Sequence, residues 1–595
     1  MDFLKSAVPS HLIADRGSNI VVINPGSANV RIGLAQQQSP FIIPHCIARY
    51  TGGVNQEPKI NVQDQMLNTE ITLAQQQERE KAYDTIASWL KIPFLDEEVA
   101  NNSFPRKTIR VDGYNPQSSK KDSTFSWTNV MEKNPSSSVA VEKLGDEGVK
   151  DEPLDTPEDT DHREPVLSDY KFREFICGEE ALKISPTEPY CLCRPIRRGH
   201  FNVSQYYPMQ QVFEDLATIW DWILNEKLDI PQLHRRMYSA VLVVPETFDN
   251  REIKEMLSIV LRDLQFGSAV VHQEGLAAAF GNGLSTACVV NIGAQVTSII
   301  CIEDGVALPT TGVTLPFGGE DISRCLLWIQ QRHQTWPTIC TSPVAKPIDM
   351  LMLNKLKESY CQIRDGELDA VAVVHSYEDG MPAGVHKTRL TALNVPPMGL
   401  FYPQLLVQDE CPPPPRSWFH DNEDMLEDTW HMDFPRRSDM SDGLFLGVNG
   451  GMPMWDSYPV IPTRLKKEDN LGLAEAIVNS ILLTGRIDLQ RKLFVSIQLI
   501  GGVALTSGLI GAVEERVLHA IPSNEAVDTV EVLQPRTDPT FVSWKGGAII
   551  GILDFGRDAW MHREDWICNG IHVGSGRKYK DSYYLQAQTM CYINS

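Results

Sequence analysis

NIVVINPGSANVRIGL, residues 19–34, is the segment from which we first predict the fold of this chain. Residues 19–22 open a strand, residues 24–27 form a turn, and apolar side chains alternate over residues 30–34. Two short strands joined by a tight Gly-Ser turn are typical of a β-hairpin. The pattern returns much later in the chain, in ACVVNIGAQVTSIICI, residues 287–302. A strand–turn–strand unit that occurs twice indicates a duplicated architecture.

Between the two hairpins, helical patterns alternate with a strand pattern. Apolar residues recur at helical spacing over residues 209–228, and residues 250–263 and 273–280 are also predicted to be helical. Residues 240–244 read AVLVV, which is typical of a buried strand. This alternation favours an α/β fold whose sheets are covered on both faces.

Two polar stretches interrupt this order. Residues 51–170 end in a run, residues 146–164, that holds nine acids against two bases, and residues 376–470 contain four consecutive prolines and the acidic run 421–428. Low hydrophobicity combined with high charge cannot offset the entropy of ordering such a chain. We therefore predict two insertions on a folded core, both partly disordered, with a helix over residues 73–92 in the first of them. The acidic runs are either solvated tails or docking segments for a basic partner.

Length and composition limit the class of protein. A chain of 595 residues suits several domains or one large two-lobed fold with insertions. The 54 basic and 77 acidic side chains give a net charge of −23, which argues against nucleic-acid binding through bulk charge. No apolar run reaches the roughly 20 residues that span a bilayer, so no membrane contact is expected. The twelve cysteines are scattered and lack zinc spacing, so we expect a soluble intracellular protein without a metal site.

The turns of the hairpins are also candidate binding residues. A Gly-Ser turn such as Gly26-Ser27 can aim backbone N–H groups at a phosphate. The second hairpin also has a glycine in its turn, and the pair Gly501-Gly502 follows another predicted strand. Residues 544–548, WKGGA, open a further helix, and their glycines would let the backbone approach a purine and ribose.

Taken in order, these turns resemble the two-lobed nucleotide clamp that actin shares with the seventy-kilodalton heat-shock chaperones and the sugar kinases. The resemblance to actin is the closer one and covers most of the chain outside the insertions. It rests on residues 177–181, 194–199, 250–252, 356–361 and 472–493, which match actin segments in the same order. The resemblance implies an actin-like two-lobed α/β fold with two large polar insertions.

Further segments resemble the eighth subfamily of actin-related proteins, whose plant members are numbered nine. They are residues 25–27, 43–49, 270–285, 317–325 and 399–403. This resemblance implies a nuclear subunit of Ino-eighty-type chromatin-remodelling complexes, with roles in transcription regulation and DNA repair. Its implied partners are actin, the fourth actin-related protein, a Swi/Snf-type motor subunit, histones and linker DNA.

The resemblance also suggests which surfaces meet those partners. The acidic insertions are candidate histone contacts, and Arg194, Arg197 and Arg198 are candidate DNA contacts, although ordinary solvated faces remain the alternative. The first insertion falls where an actin loop contacts the next subunit. A bulky insertion at a repeating contact predicts that the chain is not a filament former.

The resemblance implies a site for ATP or ADP. Its residues would be Gly26, Ser27, Ala28, Arg31, Asn291, Ile292, Gly293, Ala294, Lys357, Glu358, Gly501 and Gly502. Of these, Lys357 and Glu358 match the actin helix residues that touch adenosine.

Several departures from actin weaken the chemistry of this site. Actin has an aspartate in each phosphate hairpin that organises the metal ion, and this chain has Asn24 and Asn291, which bring no charge to hold Mg²⁺. Ala294 replaces another acid, and the alignment places Ser258 near the glutamine that positions the attacking water. We therefore expect weak or absent Mg²⁺ binding and weak or absent hydrolysis, so the chain is not predicted to be an enzyme.

Three alternatives stay open at this point. The cleft could be vestigial and bind no nucleotide. The chain could be an actin-superfamily ATPase or small-molecule kinase, or a cytoskeletal or dynactin-type actin relative.

These patterns divide the chain into six segments. Residues 1–50 hold the N-terminal segment and the first hairpin of lobe 1, 51–170 the first insertion, 171–286 the rest of lobe 1, 287–375 the first part of lobe 2, 376–470 the second insertion, and 471–595 the rest of lobe 2 with a tail that returns to lobe 1.

Overall fold

The structure is a computed structural model. It describes residues 8–52, 71–90, 173–185, 188–204, 206–337, 342–343, 346–378, 381–407, 414, 471–523, 527–553 and 559–569. Within these ranges, no helix has the length and apolar character needed to cross a membrane.

Strands and helices alternate along the described chain. The strands are β1 (Ile20–Pro25), β2 (Asn29–Leu34), β3 (Phe41–Pro44), β4 (Ile47–Tyr50), β5 (Phe175–Cys177), β6 (Tyr190–Cys193), β7 (Ile196–Arg197), β8 (His200–Phe201), β9 (Ser239–Val244), β10 (Ser268–Gln273), β11 (Ala287–Ile292), β12 (Thr297–Glu303), β13 (Val306–Leu315), β14 (Ala370–Glu378), β15 (Met381–Leu390), β16 (Ile497–Ile500) and β17 (Met561–His562). The α-helices are α1 (Ser10–Arg16), α2 (Leu73–Trp89), α3 (Glu179–Leu182), α4 (Met209–Glu226), α5 (Asn250–Ser258), α6 (Glu274–Asn282), α7 (Gly319–Arg332), α8 (Pro347–Tyr360), α9 (Val395–Met398), α10 (Leu473–Leu482), α11 (Ile487–Phe494), α12 (Leu509–Ala520), α13 (Val542–Leu553) and α14 (Arg563–Asn569). Short 3₁₀ segments cover Gln232–Met237, Pro403–Leu406 and Gly502–Leu505, and a π-helical turn, Ile259–Asp263, continues α5.

The first lobe is built on a six-stranded sheet with the order β17-β10-β9-β1-β2-β3. Strands β1, β9 and β10 are parallel, and β2 returns antiparallel to β1. Every residue of β1 is buried, as expected for an apolar strand in the middle of a covered sheet. Leu216 and Trp220 of α4 are fully buried in the same core, which also takes in residues of β4 to β8.

The second lobe repeats this arrangement on a four-stranded sheet with the order β13-β12-β11-β16. Strand β11 is antiparallel to β12 and parallel to β16, just as β1 lies between β2 and the parallel β9. Side chains of α7, α10 and α12 pack with this sheet in one core. The predicted two-lobed α/β fold with a repeated hairpin is therefore confirmed.

Two helices that pack tightly together connect the lobes. Helix α6 leads from β10 in lobe 1 to β11 in lobe 2, and α13 packs against it. A Cβ added at Gly546 would lie only 1.6 Å from the carbonyl oxygen of Ala277, and one at Gly547 would lie 2.5 Å from the side chain of Val243. The glycines of the WKGGA run thus permit close helix packing. The expectation that they approach a purine is wrong.

The part of the first insertion that the structure describes is a helix on the second lobe. Helix α2 ends three residues earlier than expected, and its side chains Tyr83 and Ile86 belong to the core of lobe 2. Because the neighbouring strands β4 and β5 lie in lobe 1, the chain passes from lobe 1 to lobe 2 and back. The acidic runs 146–164 and 421–428 lie outside the described residues.

The folded part of lobe 2 extends into the stretch that we assigned to the second insertion. Strand β15 pairs with β14, and Leu390 at its end and Met398 and Leu405 beyond it are fully buried. Local composition did not reveal this boundary, because the apolar residues 390–407 form their core contacts with distant elements.

Candidate functional site

A cavity of about 560 Å³ lies between the lobes, where the two hairpins face each other. It is lined by eleven of the twelve predicted site residues: Gly26, Ser27, Ala28, Arg31, Asn291, Gly293, Ala294, Lys357, Glu358, Gly501 and Gly502. The twelfth, Ile292, is fully buried in the core of lobe 2 and does not line the cavity. The structure therefore brings together residues that the sequence spreads over most of the chain.

Backbone turns form one end of this cavity. The first turn (residues 26–28) follows β1, and the second turn (residues 293–296) follows β11. Gly501 closes the same end with φ +89°, and a Cβ added there would lie 2.3 Å from the carbonyl oxygen of Ile292. Only glycine combines that conformation with so close an approach to the second hairpin.

A single carboxylate bridges the two hairpins. Nδ2 of Asn24 donates to Oε1 of Glu274 at 3.3 Å, and Nδ2 of Asn291 donates to Oε2 of Glu274 at 2.9 Å. Glu274 is the first residue of α6, the helix that joins the lobes. Glu274 belongs to the segment 270–285 that resembles the eighth subfamily, but it is not among the predicted site residues. A charged residue directly after the buried strand β10 was the signal that could have revealed it.

Burial controls the charge of this carboxylate. Burial raises the pKa of Glu274 to about 7, and the nearby carboxylate of Glu246 adds to the effect. Arg31 and the two asparagine amides oppose the rise. Glu246 is half-buried, loss of solvation raises its pKa, and it accepts a hydrogen bond from Ser298 Oγ at 3.0 Å. A carboxyl group at the end of the cleft therefore changes charge near neutral pH.

The donor atoms at this end of the cavity do not fit a Mg²⁺ ion. Oδ1 of Asn24 accepts from the Arg31 guanidinium at 3.4 Å, and its Nδ2 also donates to Val243 O at 3.0 Å. A cation at Asn24 would meet a guanidinium and amide donors where magnesium needs oxygen ligands. Among the described residues, no group of three or more His, Cys, Asp and Glu side chains could hold a metal ion.

The backbone turns and Arg31 at this end of the cavity suit an anion such as a phosphate. Arg31 lines this end of the cavity with its positive charge, and its buried Nε has no hydrogen-bond partner among the described residues. A Cβ added at Gly502 would meet no atom within 4 Å, which leaves room at the wall of the cavity. Lys357 also lines the cavity, where its Nζ donates to Gly319 O at 2.8 Å and burial lowers the pKa of this lysine.

Of the three predicted DNA contacts, Arg198 lies inside the molecule and Arg194 lines the cavity. Arg198 is only 5% exposed and forms a double hydrogen bond to Asp321 in lobe 2. Arg194 lies 3.8 Å from Glu320. The assignment of Arg198 to DNA is therefore wrong, whereas Arg194 and Arg197 are half-buried and their assignment stays a prediction.

Ser258 does not take the place expected for a water-positioning residue. It is buried at the end of α5, and it is not among the residues that line the cavity. That assignment is therefore wrong. Glu274 is the side chain that the structure places between the two hairpins.

Comparisons with known proteins agree with this geometry. The family model described as Actin matches residues 16–574. Actin-related protein 9 of Oryza sativa subsp. indica is 62% identical over 100% of both chains, and actin-related protein 9 of Arabidopsis thaliana is 60% identical over 100% of this chain and 98% of its own. Actin-related protein 8 of Salmo salar is 28% identical over 93% of this chain and 90% of its own. A solved structure, human actin-related protein Arp8 in its ATP-bound state, superposes with a TM-score of 0.68 at 25% identity, covering 95% of this chain and 97% of that one.

Proposed function

The chain belongs to the actin family, and we propose that it is a non-catalytic, nucleotide-binding subunit of an Ino-eighty-type chromatin-remodelling complex. In this role it binds ATP or ADP in the cleft between the lobes and hydrolyses neither at a significant rate. The similarity to the human protein solved with ATP supports nucleotide binding, as does the cavity that the two turns share.

The bridge from Asn24 through Glu274 to Asn291 carries the non-catalytic part of the proposal. Phosphoryl transfer to water relies on a metal ion that neutralises the phosphates and on a positioned nucleophile. Both hairpins here direct amide donors at Glu274, and Arg31 supplies the positive charge near the phosphates. Removing such transition-state stabilisation lowers the rate by several orders of magnitude.

Single-turnover hydrolysis by the full-length protein tests this part of the proposal. ATP labelled at the γ-phosphate is mixed with excess protein, with actin as the positive control. We expect phosphate release no faster than in buffer, together with retention of ATP on the protein. Release at the rate of actin would contradict the proposal.

The chromatin role rests on the resemblance to the eighth subfamily and on the similarity to actin-related proteins 8 and 9. Under this proposal the chain is nuclear, joins actin and the fourth actin-related protein on a Swi/Snf-type motor, and contacts histones and linker DNA. The net charge of −23 suits histones better than bare DNA.

Affinity purification of the tagged chain from nuclear extract, followed by mass spectrometry, tests the assembly. The expected result is recovery of the motor subunit with actin and the fourth actin-related protein. Recovery of dynactin or cytoskeletal proteins, or of none of the expected subunits, would contradict the assignment.

A further inference from the structure

A short hairpin of lobe 1 reaches across the cleft to lobe 2. Strands β7 and β8 are joined by Arg198 and Gly199, both with positive φ, at +50° and +77°. The left-handed conformation is uncommon for arginine and turns its side chain out of the hairpin toward α7. Such a conformation persists only where surrounding contacts hold it.

The contacts of Arg198 on lobe 2 are numerous and short. Nη1 donates to Asp321 Oδ2 at 2.6 Å and Nη2 donates to Asp321 Oδ1 at 2.7 Å, so the pair is bidentate. Nη1 also donates to the backbone oxygen of Gln295 at 2.6 Å, and the backbone N–H of Arg198 donates to Gln295 Oε1 at 2.7 Å. One residue of lobe 1 is thus bonded to both α7 and the second turn.

The pair is buried and charged. Asp321 is fully buried, and its carboxylate also accepts from Arg324 and from the backbone N–H of Gly318. Burial opposes ionisation of Asp321, but Arg198 and Arg324 outweigh it and lower the pKa of this carboxyl group. Separating the lobes would leave Asp321 with Arg324 as its remaining cation and would take the buried Arg198 away from its carboxylate, so the contact resists separation of the lobes.

This cluster is also a wall of the cavity. Gln295, Glu320 and Arg194 line it, and Nε2 of Gln295 donates to Glu320 Oε2 at 3.1 Å. Opening the mouth of the cleft between β7–β8 and α7 therefore requires the bonds of Arg198 to break.

We propose that Arg198 and Asp321 form a latch that holds the lobes closed over the cleft and sets the rate at which nucleotide leaves. This proposal rests on the nucleotide binding proposed above and adds that the latch controls nucleotide exchange. Arg198 acts as a positioning residue, because it holds the lobes together and lies behind the wall of the site.

The variant Arg198→Met removes the latch and keeps most of the side-chain volume. Arg235→Met is a matched control, because Arg235 is equally buried and its bonds to Asp221, Asn225 and Ile230 all stay within lobe 1. Arg198→Lys keeps the charge but loses the planar fork that binds both carboxylate oxygens, so it should have an intermediate effect.

The latch is tested by the rate at which a fluorescent ATP analogue dissociates from the full-length protein. Excess unlabelled ATP is added so that the analogue cannot rebind. We expect release roughly tenfold faster or more for Arg198→Met, and within about twofold of the unmodified protein for Arg235→Met. Unchanged release from folded Arg198→Met, or equal acceleration in Arg235→Met, would overturn the latch. If Arg198→Met does not fold, unchanged release from Arg198→Lys overturns it equally.

Hydrogen exchange separates failure of the latch from failure of nucleotide binding. If the unmodified protein binds neither ATP nor ADP, the proposed nucleotide binding is wrong, and the latch is tested without ligand. The amides of residues 293–296 and of the first turn of α7 should then exchange faster in Arg198→Met than in the unmodified protein. In Arg235→Met they should exchange at the same rate as in the unmodified protein. Equal exchange in both variants would overturn the latch.

Discussion

Nδ2 of Asn291 donates a 2.9 Å hydrogen bond to Oε2 of Glu274, which ties the second hairpin to the helix that joins the lobes. The other oxygen of Glu274 accepts from Asn24 in the first hairpin. An aspartate at either position would place a second negative charge beside Glu274. The two asparagines and the glutamate are therefore coupled. Replacing one of them changes the hydrogen bonds and the electrostatic environment of the other two.

Replacing the carboxylate should strengthen nucleotide binding. The variant Glu274→Gln removes a negative charge near the phosphates, so we expect ATP to bind roughly tenfold tighter at pH 8. Fluorescence anisotropy with labelled ATP measures the affinity. The exposed residue Glu214 on α4 supplies the control Glu214→Gln, for which we expect no change. Weaker binding by Glu274→Gln would refute the electrostatic account.

The same carboxyl group should make nucleotide binding depend on pH. The pKa of Glu274 is about 7, so the group loses its charge as the pH falls through that value, and ATP affinity of the unmodified protein should rise from pH 8 to pH 6. Arg31 keeps its charge throughout, while Glu246 has its own raised pKa and can add to the same trend. In Glu274→Gln the rise should be much smaller. An equal pH dependence in both proteins would assign the effect to another group.

Restoring two acids should restore the use of a metal ion. The triple variant Asn24→Asp, Asn291→Asp and Glu274→Gln replaces two amides by carboxylates and removes the charge between them. We expect Mg²⁺ to raise its ATP affinity by roughly tenfold, because carboxylates are the ligands that Mg²⁺ prefers. Titrations in Mg²⁺ and in EDTA make the comparison, with Glu274→Gln as the control that should stay indifferent to the metal.

Helix α2 should contribute measurably to the stability of lobe 2. Ile86 is fully buried in the core of lobe 2, and we expect Ile86→Ala to lower the free energy of unfolding by about 2–4 kcal/mol. Ser88 is exposed on the same helix, and Ser88→Ala should change it by less than about 0.5 kcal/mol. Urea denaturation provides both values, and equal effects would show that α2 does not pack on lobe 2.

Two helical glycines should respond oppositely to alanine. Gly546 of α13 has no room for a Cβ beside Ala277, so Gly546→Ala should destabilise the protein by about 2 kcal/mol or more. Gly511 of α12 has open space, so Gly511→Ala should stabilise it by about 0.5–1 kcal/mol. Thermal unfolding measures both changes. Equal effects would mean that α13 and α6 do not approach closely.

Much of the fold could be predicted from local pattern. The hairpins around Gly26 and Gly293 follow from apolar runs broken by turn residues, and α4 follows from its helical spacing. The glycines of α13 were misassigned, since their reason is the approach of α6, which only the tertiary structure shows. The second insertion begins later than predicted, because residues 390–407 form their core contacts with distant elements.

The site was predictable where the chain itself forms a turn and unpredictable where distant residues meet. Asn24 and Glu274 are 250 residues apart, and nothing in either local sequence indicates their contact. Arg198 stands in a basic cluster that is typical of a solvated face, yet Asp321 from the other lobe buries it. Local composition assigns such charged residues to the solvent-exposed surface, although they pair with each other across the cleft.

Titration calorimetry of the unmodified full-length protein with ATP, in Mg²⁺ and in EDTA, measures whether nucleotide binding needs a metal ion. If Glu274 bridges the two hairpins and no carboxylate is free for a metal ion, the protein should bind ATP with the same affinity in both buffers. Binding that disappears in EDTA and returns with Mg²⁺ would contradict the account, since it would require a metal site that Asn24 and Asn291 do not form.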